Sequence, residues 1–150
     1  MSGAEDFSEL LVDQQLCLAL QTTSSLVTRL YRRVLEPLGL THPQYLVLIA
    51  LWERGGPRAM GDLGRAVGME TGTLTPLIKR MEASGLVTRT RDTADERRVW
   101  VALTPRADSL REPVRIARRE VVDRLPITDL QIAQLRATLQ EMSRAMERDA

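Results

Sequence analysis

Apolar residues recur at Leu16, Leu20, Val27, Leu30, Val34 and Leu38, at three- and four-residue intervals or their sums, with polar residues between them. That period buries one stripe of a helix. It predicts a long first helix over residues 8–38, stopped by Gly39. The run LTHPQY then reads as a second helix start. Thr41 and Gln44 have capping-box spacing, Pro43 fits a first turn where its missing N–H costs nothing, and Leu40 can staple onto Tyr45. This helix is expected to continue to Glu53, where RGGP breaks it.

A short third helix is expected in AMGDLGRAVG, followed by another in METGTLTPLIKRMEASG. Pro76 has no amide hydrogen and belongs near a helix start, which puts that start within residues 71–75 and the end at Gly85. In LVTRTRDTADERRVWVALT, apolar alternation at Val99, Val101 and Leu103 beside the turn-rich DTADE predicts a β-hairpin, closed by Pro105. Helix then resumes, breaks at Pro126, and restarts at a second capping box, Thr128 with Gln131, with Ile127 stapling onto Ile132. From there Ile132, Leu135, Leu139, Met142 and Met146 form a coiled-coil-like seam. A seam on a terminal helix needs a partner, so the first and last helices are expected to pack together and against a second copy of the chain.

The expected fold is therefore mainly α with a small β-hairpin wing. It is a single winged helix-turn-helix domain over residues 1–150, with a DNA-binding core over 41–104 and dimerisation helices over 1–38 and 105–150. At 150 residues the chain can bury a core without staples, and one cysteine and one histidine leave no intrachain disulfide and no zinc cluster. No metal or cofactor is expected. The acidic start MSGAEDFSELL is not a signal peptide, and no apolar run has membrane-spanning length, so a cytoplasmic protein without a membrane partner is expected. A net charge of +1 says nothing about nucleic acid by itself, so local placement has to decide. Aromatic residues at 3% argue against single-strand stacking platforms.

Local placement favours duplex DNA. Two short helices across a turn, then a hairpin with an arginine-bearing tip, suit a major groove and its flank. Thr71, Thr73 and Thr75 can offer hydroxyls and methyls to base edges, and Lys79 and Arg80 can reach phosphate. The tip sets Arg89, Arg91, Arg97 and Arg98 among Asp92, Asp95 and Glu96, so one arginine reaching a groove describes it better than a basic patch.

Cys17 lies within the apolar run QLCLAL and reads either as packing or as a reactive thiol. The thiolate is the nucleophile, and an ordinary thiol is only a few per cent ionised near neutrality, so reactivity needs a group that stabilises the anion. Asp13, one helical turn earlier, opposes it. Tyr31 and His42 are the polar candidates, a phenol by hydrogen bonding and an imidazolium by charge. An enzyme built on Cys17 and His42 would need an oxyanion-hole loop or a resolving cysteine, and the sequence offers neither, so no enzymatic activity is expected.

The segments QLCLAL, LYRRVLEPLGLTHPQYLVLIALWE, TGTLTPLIKRMEASGLVTRTR and DERRVWVALT resemble the MarR family of winged-helix repressors. GTLTPL and DER mark the broad family. QLC followed by LY and PQYL resembles its organic hydroperoxide resistance branch, in a one-cysteine form. The resemblance implies that the helix carrying Glu70, Thr71, Gly72, Thr73 and Thr75 enters the major groove of a near-palindromic operator. It implies that Arg97 reaches the minor groove, Asp95 holds the wing arginines, and Arg91 and Arg98 share that wing. It also implies that Cys17 senses organic hydroperoxide and that Tyr31 hydrogen-bonds it. A second family tyrosine is replaced here by His42. Oxidised Cys17, capped by a low-molecular-weight thiol, would then disturb a homodimer and release DNA. The rival within the family is a repressor with an inert cysteine and a small phenolic or lipophilic ligand.

Overall fold

The structure is a computed structural model that describes residues 6–150. The long first helix is not continuous. Two 3-10 turns, Ser8–Leu10 and Val12–Gln14, precede helix α1, Leu16–Leu35, and a third turn, Glu36–Leu38, follows it. The break is local: Gln15 is extended (φ −91°, ψ 111°), and its side chain donates back to the Glu9 carbonyl at 3.0 Å and the Leu11 carbonyl at 2.9 Å. Helix α2, His42–Arg54, starts at the expected capping box, where Gln44 N–H donates to Thr41 Oγ1 at 3.3 Å and Thr41 N–H to Gln44 Oε1 at 3.1 Å. It is the central element, burying Tyr45, Val47, Leu48, Ala50, Leu51 and Trp52.

Helices α3, Met60–Val67, and α4, Thr71–Ala83, form the helix-turn-helix. Gly64 is required where they meet, because a Cβ there would lie 2.7 Å from the Met69 carbonyl oxygen. Helix α4 starts at Thr71, at the near edge of the expected span, which puts Pro76 in its second turn. Both it and Gly72, whose carbonyl it leaves without a helical donor, are exposed, so water can donate to that oxygen instead.

The wing is a three-stranded antiparallel sheet instead of a bare hairpin. Strand β1, Arg58–Ala59, pairs with β3, Val99–Leu103, which pairs in turn with β2, Val87–Arg91. Arg58 ties this sheet to α2 through a hydrogen bond to the Ala50 carbonyl at 2.9 Å. Helix α5, Pro105–Ser109, is capped by Thr104, whose hydroxyl also donates to the Gly85 carbonyl at 2.6 Å and so anchors the wing base.

Helix α6, Arg111–Asp123, turns Val114, Ala117 and Val121 inward. It packs extensively against α1. Helix α7, Asp129–Asp149, starts at the second capping box and has no fully buried residue along its length, with Ile132, Leu139 and Met142 of its seam half-buried. Its Leu130, Leu135 and Met146 are exposed, and so are Phe7, Leu10, Leu11, Val12, Leu16, Leu18 and Leu26 at the other end of the chain. These are large apolar faces left without cover. Among the described residues, no single helix is long and apolar enough to cross a membrane, and no cluster of metal-ligating side chains occurs.

Candidate nucleic-acid interface and cysteine site

Helix α4 has two faces. Leu74, Leu77, Ile78 and Met81 are buried against the core. Thr71, Gly72, Thr73, Lys79 and Arg80 are exposed, and Thr75 is half-buried at the edge. Glu70 is the N-cap residue with extended backbone but makes no side-chain cap. Lys79 and Arg80 enter no ion pair among the described residues, so their charges face solvent unspent.

The four wing arginines separate into different environments. Arg89 points back to the end of α4, donating from Nε and Nη2 to Glu82 Oε1 at 3.2 and 3.0 Å while its N–H reaches Glu82 Oε2 at 3.0 Å. These bonds hold the Glu82 carboxyl below its usual range, so the clamp between α4 and the wing stays charged at neutral pH. Arg98 lies 4.7 Å over the Trp100 ring. Arg91 donates to the Glu96 carbonyl at 2.9 Å. Arg97 projects into solvent, with its side chain 92% exposed, steadied by Asp95 Oδ1, which accepts from Arg97 N–H at 3.1 Å and Nε at 3.2 Å. Arg89 and Arg98 were expected at the tip with the other two, and each has a local partner, Glu82 for Arg89 and the Trp100 ring for Arg98.

Cys17 is exposed, which removes the packing reading for the single chain. Because α1 starts at Leu16, the thiol sits on the second residue of the helix rather than in its middle. The first-turn amides there have no side-chain cap, and unpaired N–H groups at the positive end of a helix favour an anion. Asp13 lies outside the helix in the preceding 3-10 turn.

Tyr31 and His42 do come together, and Tyr45 joins them. The ring centroids are 5.2 Å apart for Tyr31 and His42, 5.0 Å for Tyr31 and Tyr45, and 5.7 Å for His42 and Tyr45. Tyr45 was expected only as a staple for Leu40. Burial, then the Tyr31 hydroxyl, push its phenol far above its usual range, with Arg118 opposing, so it remains a neutral hydrogen-bonding group. Burial lowers His42 from 6.5, so the ring is neutral near pH 7 and the expected imidazolium is not its resting form. The sign follows from linkage. Below pH 6.5 the unfolded chain binds this proton more readily than the folded one, so stability falls as pH drops through 6.5 and the lower folded value. His42→Gln is expected to lose less melting temperature than the parent between pH 7.5 and 5.5, the difference being no more than a few degrees. Paired thermal melts at the two pH values measure it, and equal losses would refute it.

Comparison with known proteins agrees with this geometry. The MarR family profile matches residues 40–99, spanning the helix-turn-helix and most of the wing. The chain is 44% identical over 110 residues to the HTH-type transcriptional regulator TtmR of Methylorubrum extorquens (strain PA1), covering 73% of this chain and only 55% of that relative's length. It is 40% identical over 106 residues to the organic hydroperoxide resistance transcriptional regulator of Bacillus subtilis (strain 168), covering 71% of each. The solved structure of reduced AbfR bound to DNA, a protein of Staphylococcus epidermidis, superposes with a TM-score of 0.80 at 30% identity, covering 95% of this chain and 96% of that one. The helix-turn-helix, its three-stranded wing and these relatives lead to one conclusion: the chain belongs to the MarR family of winged-helix, DNA-binding transcriptional regulators.

Proposed function

We propose that the protein is a homodimeric repressor that binds a near-palindromic operator and releases it when an organic hydroperoxide oxidises Cys17. The observation that carries this reading is the exposed, solitary thiol on the uncapped first turn of α1, set among exposed apolar residues. The hydroperoxide-regulator name of the Bacillus relative supports it. The Cys17 thiolate attacks one peroxide oxygen, the O–O bond breaks, and the alcohol leaves after taking up a proton. Sulfur is thereby oxidised by two electrons to the sulfenic acid. A low-molecular-weight thiol then condenses with it, forming a mixed disulfide and water, because the chain has no second cysteine. Tyr31 is the phenol that steadies the thiolate, with His42 and Tyr45 packed behind it. The protein consumes one peroxide per site and does not turn it over.

In the DNA-bound dimer α4 lies in the major groove, with Thr71, Thr73 and Thr75 toward base edges and Glu70 and Gly72 at its entry. Lys79 and Arg80 meet phosphate, Arg97 enters the minor groove, and Asp95 holds it there, with Arg91 and Arg98 shaping the wing around it. Two-fold symmetry then requires half-sites about one helical turn apart. The test starts from a duplex that the protein itself enriches from a random pool. Footprinting should find two half-sites, and tert-butyl hydroperoxide should release the protein while adding one oxygen or a thiol adduct to Cys17. Arg97→Ala should weaken binding, and lower the slope of log K against log salt by about 0.9 if Arg97 neutralises one phosphate. A single isolated half-site, or release with Cys17 unmodified, would refute the reading.

A second reading is favoured by a cleft of about 520 Å³ between α2 and α6, floored by Ile49, Trp52 and Val114, in which Arg111, Arg115 and Arg118 alternate with the carboxylates of Glu53, Asp108 and Glu112. Trp52 Nε1 is buried beside it without a hydrogen-bond partner. An apolar floor under a rim of matched charges suits a small phenolic or lipophilic ligand. Under that reading, salicylate would release DNA from Cys17→Ser as readily as from the parent.

A further inference from the structure

The wing tip is more ordered than its composition requires. Of its seven residues, DTADERR, five are charged and none is large and apolar, so burial cannot fix its shape. Asp92 fixes it. Its Oδ1 accepts from the Ala94 and Asp95 amides at 2.8 and 3.1 Å, its own N–H donates to the Arg98 carbonyl at 2.8 Å, and its Oδ2 accepts from Trp100 Nε1 at 2.9 Å. The indole belongs to β3, whose pairing with β1 and β2 makes it the middle strand. Asp92 thus ties the turn to the most constrained strand of the wing. The Arg98 guanidinium covers the same indole, and Arg98 N–H donates to the Asp95 carbonyl at 2.9 Å. The chain of bonds ends at Asp95, which holds Arg97.

We propose that Asp92 and Trp100 are positioning residues for DNA recognition: their hydrogen bond sets the turn that presents Arg97 before DNA arrives. This rests on the DNA-binding reading above. A wing ordered in advance loses less conformational freedom on binding. The Asp92 carboxyl, held below its usual range first by the Trp100 bond, is fully ionised at neutral pH and keeps all three donors.

The test is a set of double-mutant cycles on the duplex enriched by the parent protein. Asp92→Asn keeps the Oδ1 acceptor for the two amides but puts an amide donor where Trp100 Nε1 needs an acceptor. Trp100→Phe keeps an aromatic ring under Arg98 and removes the five-membered ring that carries the indole N–H. Each is expected to weaken binding about tenfold. In an Arg97→Ala background neither should weaken it further, since there is then no arginine to place. A merely structural role would lower the melting temperature and leave this coupling at zero. Parental affinity in both single variants, or losses that multiply with Arg97→Ala, would overturn the inference. So would parental affinity of Arg97→Ala, which leaves the DNA-binding reading standing. Failure of the parent to enrich any duplex overturns both. Should one variant fail to fold by circular dichroism, the other decides alone.

Discussion

Cys17→Ser is expected to bind operator DNA within about twofold of the parent and to lose release by organic hydroperoxide completely. The chain has one cysteine, so a serine there removes every thiol. A serine hydroxyl is not measurably ionised near neutrality and does not attack a peroxide oxygen, whereas the thiolate does. The fold should barely respond. Cys17 is exposed, and surface substitutions away from special features usually fall within about 0.5 kcal/mol. Fluorescence anisotropy of a labelled duplex during peroxide titration, with intact-protein mass recorded at each point, measures both halves of the expectation. The competing target is methionine. Six are present, and Met146 is exposed while Met81 is fully buried. Release of the serine variant together with oxygen gain at a methionine would place the sensor there and end the assignment to Cys17.

A mixed dimer of one Cys17→Ser chain and one Tyr31→Phe chain is expected to react with hydroperoxide at the parental rate per remaining thiol, while a Tyr31→Phe homodimer reacts about threefold more slowly. Helix α1 runs unbroken through both positions, which are 14 residues apart and therefore separated by about 21 Å of rise. A chain's own Tyr31 cannot touch its Cys17. The partner's can, if the two first helices run antiparallel, which would also cover the exposed Leu16, Leu18 and Leu26. In the mixed dimer the surviving thiol sits on the phenylalanine chain and faces the intact tyrosine of the serine chain. A hydrogen bond to an anion is worth about 1.5–3 kcal/mol, and because an ordinary thiol is already a few per cent ionised, its thiolate population gains roughly ten- to thirtyfold before it saturates. Lower nucleophilicity of the stabilised thiolate takes back about three- to tenfold, which leaves an effect of about threefold. Stopped-flow rates on tagged, purified mixed dimers test it. A slow mixed dimer would mean that each site is built within one chain.

The sequence carried the helical segments because their ends are written in local chemistry. Both capping boxes, at Thr41 with Gln44 and Thr128 with Gln131, form with both arms bonded. The start of α1 was hidden, because apolar residues continue on both sides of Gln15, and what ends the helix there is a side chain turning back to Glu9 and Leu11. That one misplacement changed the chemistry read for Cys17, from a mid-helix thiol beside an acid to one on a free helix end. Strand β1 was hidden for a different reason: two residues give no alternation, and Arg58 and Ala59 pair only because β3, some forty positions later, offers an edge. The grouping of Tyr45 with Tyr31 and His42 likewise depends on how α1 crosses α2, which no spacing within either segment records. Among the wing arginines, the sequence placed four together but could not tell which would be retained by Glu82 or Trp100 and which left to solvent.

The two tryptophans give the protein a pair of optical reporters that need no label. Trp52 is buried in the central helix, and Trp100 lies half-buried in the wing, under a guanidinium and bonded to Asp92. Emission from the first follows loss of the core, and emission from the second follows rearrangement of the wing. A Trp52→Phe protein would therefore glow from the wing alone, and a peroxide-driven change in its spectrum without a change in far-ultraviolet dichroism would time the wing's response separately from any melting of the molecule.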